Sequence, residues 1–152
     1  MELKLKSEAF EHKGSIPDTY TCKSKDISPP LEWDGVPEGI KSFAIIMEDP
    51  DAPIGTITHW VIYNIPSEVR KLNEDMPHGK KFSNGTVQGR NSRRKNHYMG
   101  PCPPIGEHRY VFKLYALDTK FEEDTKIKKK KLLKKMEGHI LDKTELMGRY
   151  KR

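Results

Sequence analysis

The sequence predicts one antiparallel, mainly β domain with a single late helix, on three observations. Short runs dense in β-branched and aromatic residues recur along the chain, only one segment carries helical periodicity, and the two kinds of element do not alternate as they would around a parallel sheet. A chain of 152 residues can bury a core without a metal or disulfide staple, so residues 1–152 are read as one domain. Hydrophobic residues make up only 34% and charged residues 33%, yet the apolar ones are concentrated in a few runs. An ordered core under a charged surface is therefore favoured over disorder.

Taken in order, Leu3–Lys6 alternates apolar and charged residues, as a half-buried strand does. Ser28-Pro29-Pro30-Leu31-Glu32-Trp33 reads as a proline-stiffened entry into a short edge strand. Ser42–Glu48 is continuous in its apolar residues, the pattern of a central strand buried on both faces. His59–Ile65 and Arg109–Leu117 are too short and too rich in β-branched and aromatic residues for helices. Residues 66–104, between them, show only a weak strand signal at Thr86–Gln88. Connections this long are uncommon in compact domains, and this one reads as a functional segment or a mobile surface loop. The helix is capped by Thr125, striped by Leu132, Leu133, Met136 and Ile140, and left at Gly138. Glu145–Tyr150 reads as a closing strand.

No run approaches the roughly 18 apolar residues of a membrane span, and the N-terminus lacks the apolar core of a signal peptide. The expected address is cytoplasmic and the expected protein is not an integral membrane protein. Cys22 and Cys102 form no CxxC pair and have no Cys or His at metal-ligand spacing, so no metal or other cofactor is expected. In a cytosolic setting the expected state is two reduced thiols, with a disulfide as the alternative. Cys102 as a nucleophile served by His108 is the weakest reading of the pair.

Charge is uneven. Residues 1–60 carry a net −5 and residues 61–152 a net +11. The basic excess lies in Lys80, Lys81, Arg90, Arg93, Arg94 and Lys95 and in the run from Lys126 to Lys135. No aromatics are interleaved to stack on bases and no nucleic-acid motif is present, so these lysines read as a solvated surface without specific nucleic-acid binding.

Two distant stretches share an unusual composition. Asp49-Pro50-Asp51-Ala52-Pro53 closes with His59-Trp60, and Gly100-Pro101-Cys102-Pro103-Pro104 leads into Gly106-Glu107-His108-Arg109-Tyr110. Proline fixes φ and removes an N–H, so both loops are stiff, and each delivers a histidine to the mouth of a β-prone run. Rigid loops of this kind hold polar groups still around a small ligand. Imidazoles near their midpoint and the Tyr110 hydroxyl offer donors to an anion, with backbone N–H groups around Gly100 and Cys102 as further donors. Asp49 would repel a bare anion, so its expected task is to orient and charge one histidine. His12, His78 and His97 have no such context and read as surface. By strand alternation Arg109 faces away from His108 and Tyr110, and Trp60 away from His59 into the core. His139 at the helix exit reads as structural.

Both motifs, with Cys22, Ser28–Trp33 and Met136-Glu137-Gly138-His139, resemble the phosphatidylethanolamine-binding protein family, in its short bacterial and archaeal Raf-kinase-inhibitor-like branch. The resemblance runs nearly end to end. It implies a Greek-key antiparallel β-sandwich with a small pocket for phosphate or a phospholipid headgroup. Asp49, Asp51, Pro53 and His59 would form one wall, and Gly100, Pro103, Pro104, His108 and Tyr110 the other. It also implies a cis bond before Pro53. Larger relatives carry an aromatic residue where this chain has Ile57, and a C-terminal extension past the position of Arg152.

Three classes of function follow. The first is a non-catalytic binder of a small anionic or phosphorylated ligand. The second is an inhibitor of a kinase or protease acting through the pocket rim, and the third, a distant alternative, is a hydrolase built on Asp49, His59 and His108. No nucleophile elbow, phosphate-binding Gly-rich loop or HExxH pattern supports catalysis, so no enzyme activity is expected. A homodimer is kept open.

Overall fold

The computed structural model describes residues 2–152. Eight strands form two antiparallel sheets: β1 (Lys4–Lys6), β2 (Leu31–Asp34), β3 (Ser42–Asp49), β4 (Ile57–Pro66), β5 (Lys71–Leu72), β6 (Val87–Gln88), β7 (Glu107–Leu117) and β8 (Ile140–Lys151), with helix α1 (Lys129–Met136) between the last two. The larger sheet runs β6-β4-β3-β7-β8 and the smaller β1-β2-β5. In the larger sheet β3, β4 and β6 follow one another, and β7 returns to lie beside β3. That spatial order, fourth-first-second-third, is a Greek key.

β3 is buried at all eight positions, because each of its faces meets a different layer. Phe43, Ile45 and Met47 point to the core between the sheets, where they join Leu5, Leu31 and Trp33 from the smaller sheet. Trp33 packs on Phe43 with ring centroids 5.3 Å apart. Ala44 and Ile46 point the other way, toward Ile127, Leu132 and Met136 around α1. The continuous apolar run thus has the physical cause expected of a two-sided central strand.

Local departures from the sequence reading have local causes. β2 is the middle strand of the smaller sheet, not its edge, since two residues of the long connection, Lys71 and Leu72, pair with Glu32 and Leu31. The helix starts at Lys129 with Lys128 as an N-cap lacking any side-chain cap, not at Thr125. A turn over 124–127 precedes it, in which the Asp124 carboxylate accepts the Lys126 N–H and Ile127 is drawn into the core. Ile140 is not part of the helical stripe. Gly138 takes φ +81°, and Ile140 opens β8 opposite Leu117. The long connection is pinned by side chains. Gln88 accepts the Trp60 indole N–H at 2.7 Å and donates to the Pro77, Gly79 and Asn96 carbonyls.

Candidate functional site

The antiparallel pairing of β3 with β4 and β7 brings the C-terminal end of β3 and the N-terminal ends of β4 and β7 to one end of the larger sheet. Loop 50–56 and loop 101–106 leave that end side by side. Between them lies a cavity of about 440 Å³. Asp49, His59, His108 and Tyr110 stand at the strand ends that floor it, and Pro53, Gly100, Pro103 and Pro104 line its walls.

Two hydrogen bonds set the state of the floor. His108 Nδ1 lies 2.7 Å from Asp49 Oδ2, both side chains nearly enclosed. His59 Nδ1 lies 2.6 Å from the Met99 carbonyl. A carboxylate and a carbonyl can only accept, so each imidazole carries its proton on Nδ1 and keeps Nε2 as its free nitrogen. The His59 ring meets Tyr110 edge-on, centroids 5.3 Å apart. Burial pushes the His59 imidazole below its ordinary value, and the Met99 carbonyl and the Asp49 and Asp26 charges do not offset this. Burial, with the Asp49 carboxylate beside it, raises the Tyr110 phenol far above its usual range, so it remains a donor.

The second wall is stitched to residues 20–26. Cys22 and Cys102 form a disulfide, the Cys22 N–H donates to the Pro101 carbonyl, and the Gly100 N–H donates to Asp26 Oδ1 at 2.8 Å. The expected pair of reduced thiols is therefore corrected, and with it Cys102 as a nucleophile. The strand pairing that folds loop 101–106 over the pocket also carries Cys102 to Cys22, 80 positions away. Gly100 lines the cavity, yet its N–H is already committed to a carboxylate and is not a free donor for an anion. Among the described residues no peptide bond is cis, so the cis bond before Pro53 is also corrected. Loop 50–56 turns instead through the Asp51 N–H bond to Asp49 Oδ1 and through Gly55 at φ +111°.

A model of the phosphatidylethanolamine-binding protein family matches residues 6–151. The chain belongs to this family. A UPF0098 protein of Methanothermobacter thermautotrophicus is 49% identical over 150 residues, with 99% of each chain covered. The crystal structure of a Chlamydia trachomatis protein described as a phosphatidylethanolamine-binding protein homologue superposes with a TM-score of 0.92 at 38% identity, over 99% of this chain and 98% of that one. Escherichia coli YbcL, described as a member of the mammalian family, gives a TM-score of 0.92 at 32% identity over 100% and 99%.

In this member of the family, eight of the nine residues singled out in the sequence converge on one cavity; Asp51 does not. It holds Arg109 in a two-pronged ion pair at 2.8–2.9 Å, and that guanidinium lowers its carboxyl to about 2. Arg109 faces outward, as strand alternation required. Trp60 is fully buried, and His139 pairs with Asp118 at 2.8 Å. The sequence reading missed Asp26, Ser92, Arg93 and Met99, which also line the cavity. None lies in a proline-rich motif. Only Arg93 carried a signal, as part of a basic cluster that was read as solvated surface.

The low His59 value has a consequence for stability. Above about pH 6.5 the imidazole is neutral in folded and unfolded chains alike. As pH falls through that value, the unfolded chain takes up a proton that the folded chain refuses, so stability falls with pH. His59→Asn keeps an N–H for the Met99 carbonyl and cannot titrate. Urea midpoints between pH 7.5 and 5.5 should decline less in His59→Asn than in the parent chain, and parallel declines would contradict the burial argument.

Proposed function

We propose that this protein is a non-catalytic binder of a small phosphorylated or otherwise anionic ligand, a headgroup in size. The buried Asp49–His108 pair at the cavity floor carries the reading. The carboxylate fixes the ring through Nδ1, and Nε2 of the protonated ring can donate a charge-assisted bond to a phosphoryl oxygen. Tyr110 adds a hydroxyl donor and Arg93 a guanidinium at the rim, while Asp26 and Asp49 suit a ligand that also carries a cationic group. Ala52, Ile54, Ile57 and Met99 give the walls an apolar surface, on which the non-polar part of such a ligand can rest. The family name supports the same class of ligand.

The test is calorimetric titration of phosphorylethanolamine into the parent chain and His108→Ala. Binding should weaken about tenfold or more in the variant, the value of one charge-assisted bond of roughly 1.5–3 kcal/mol. Equal affinities throughout would make the histidines structural. On this reading the purified protein turns over no generic phosphatase, esterase or peptidase substrate. Turnover abolished by His59→Ala or His108→Ala would replace it with the hydrolase reading.

A second reading, inhibition of a kinase or protease through the rim, draws on Ile54 and Ile105. They are 92% and 82% exposed, the most exposed large hydrophobic residues among those described, and they sit on the two loops at the cavity mouth. Ile105→Ser, which lies outside the cavity lining, should then weaken a protein complex while leaving headgroup titration unchanged. No helix among the described residues is long and apolar enough to cross a membrane. The address we infer is a compartment where Cys22–Cys102 stays oxidised. A cytoplasm meets that condition only where thiols are not held reduced.

A further inference from the structure

Across Ser92 from the ligand cavity lies a second cleft of about 230 Å³, built from three separate stretches of chain. Thr56 comes from the end of loop 50–56 and Thr58 from the start of β4, Arg90 and Ser92 from the long connection, and Lys128 and Lys130 from the N-cap and first turn of α1. No carboxylate lines it. Arg90 makes no ion pair among the described residues, and its Nε is enclosed without a hydrogen-bond partner. Lys128 and Lys130 are unpaired as well, whereas Lys129 between them is held with Lys113 on Glu48. Three uncompensated cations thus face one small volume.

The helix beside them breaks an electrostatic rule in the same direction. Free N–H groups give the first turn of a helix a partial positive charge, which favours acidic side chains or anions there and disfavours cations. α1 has no acidic residue in its first turn and no side-chain cap, and Lys128 to Lys131 crowd that end. The enclosed Arg90 Nε adds an unsatisfied donor. A local rule broken without compensation inside the fold is the pattern of a site completed by a ligand. Neutral donors are also in place. Ser92 Oγ accepts the Thr58 N–H at 2.8 Å, which leaves its own proton to donate outward, and the Thr56 and Thr58 hydroxyls have no partner among the described residues.

We propose that this cleft is a second anion site, separate from the ligand cavity, for a phosphate dianion, free or as a small phosphate monoester. Arg90, Lys128 and Lys130 supply the charge, and the hydroxyls with the first-turn N–H groups of α1 supply donors from several directions, which suits the tetrahedral oxygens of phosphate. The assignment does not depend on what the first cavity binds.

The experiment is a backbone amide NMR titration of the full chain at constant ionic strength, with chloride as the balancing anion. Inorganic phosphate is titrated first and glycerol phosphate second. The amides of Ser92, Lys129 and Lys130 should move along one saturable curve while those of Lys134 and Lys135 stay in place. Lys128→Gln with Lys130→Gln, both exposed positions, should weaken that curve about tenfold or more and leave any curve seen at Gly100 unchanged; Arg90→Gln should weaken it similarly. Thermal unfolding gives a second readout. Phosphate should raise the Tm of the parent chain above its value in chloride and should not do so in the double lysine variant. Tighter binding of glycerol phosphate assigns the site to an ester, and equal binding assigns it to the free ion. Shifts spread along the whole lysine run without saturation, or a curve unchanged in the double variant, overturn the proposal.

Discussion

Replacing Cys22 and Cys102 together by serine should lower stability by about 4 kcal/mol, among the largest losses any double substitution here can cause. The bridge closes a loop of 80 residues. Cross-linking a loop of that size removes roughly 4–5 kcal/mol of chain entropy from the unfolded state in the loop-closure account. For a chain of this length that corresponds to a fall in Tm of roughly 10 °C. The loss should also reach the ligand cavity, because the bridge, the Cys22 bond to the Pro101 carbonyl and the Asp26 bond to the Gly100 N–H together hold one wall against residues 20–26. Urea unfolding of the parent chain, the double serine variant and the reduced parent chain measures the effect. The last two should agree, and a loss under about 1 kcal/mol in both would show that the bridge contributes little to the folded state.

Asp49→Ala should cost about 3 kcal/mol or more, and Asp49→Asn less. Asp49 is 3% exposed and its carboxylate accepts the His108 Nδ1–H inside the fold. It also accepts the Asp51 N–H that shapes loop 50–56. Alanine removes both acceptors and leaves a buried imidazole without its partner, a change typically costing 3–5 kcal/mol. Asparagine has one acceptor oxygen where Asp49 uses two, Oδ1 for the Asp51 N–H and Oδ2 for His108 Nδ1, so it keeps one of the two bonds and sets its NH2 against the other donor. Equal losses in the two variants would mean that the one acceptor bond asparagine retains contributes little to holding the floor together.

Much of the architecture could be read from local pattern, because strand signals are local. The unbroken apolar run Phe43–Met47 in β3 announced a strand covered on both faces, and the alternation in β4 and β7 placed Trp60 inward and Arg109 outward. Proline-rich composition marked the two loops that form the cavity. Where the reading missed, the missing information was a partner distant in the chain. β2 reads as an edge strand until Lys71 and Leu72 pair with it. Asp51 shares a motif with Asp49 and still points out to Arg109, since an ion pair across neighbouring strands outweighed its place in the loop.

By itself, then, the sequence determined the long central strands β3, β4 and β7, which of their side chains alternate inward, and which two stiff loops carry the histidines, since each of these depends on residues only a few positions apart. Tertiary structure alone decided the rest. It joined Cys22 to Cys102, brought Asp26, Ser92, Arg93 and Met99 to the cavity, buried His59 deeply enough to disfavour its charge, and set Arg90 against the lysines of α1. Each of these results from sheet register and layer packing, which bring together residues tens of positions apart, and burial or pairing at such contacts changes redox state, charge and hydrogen bonding in ways that no local pattern encodes.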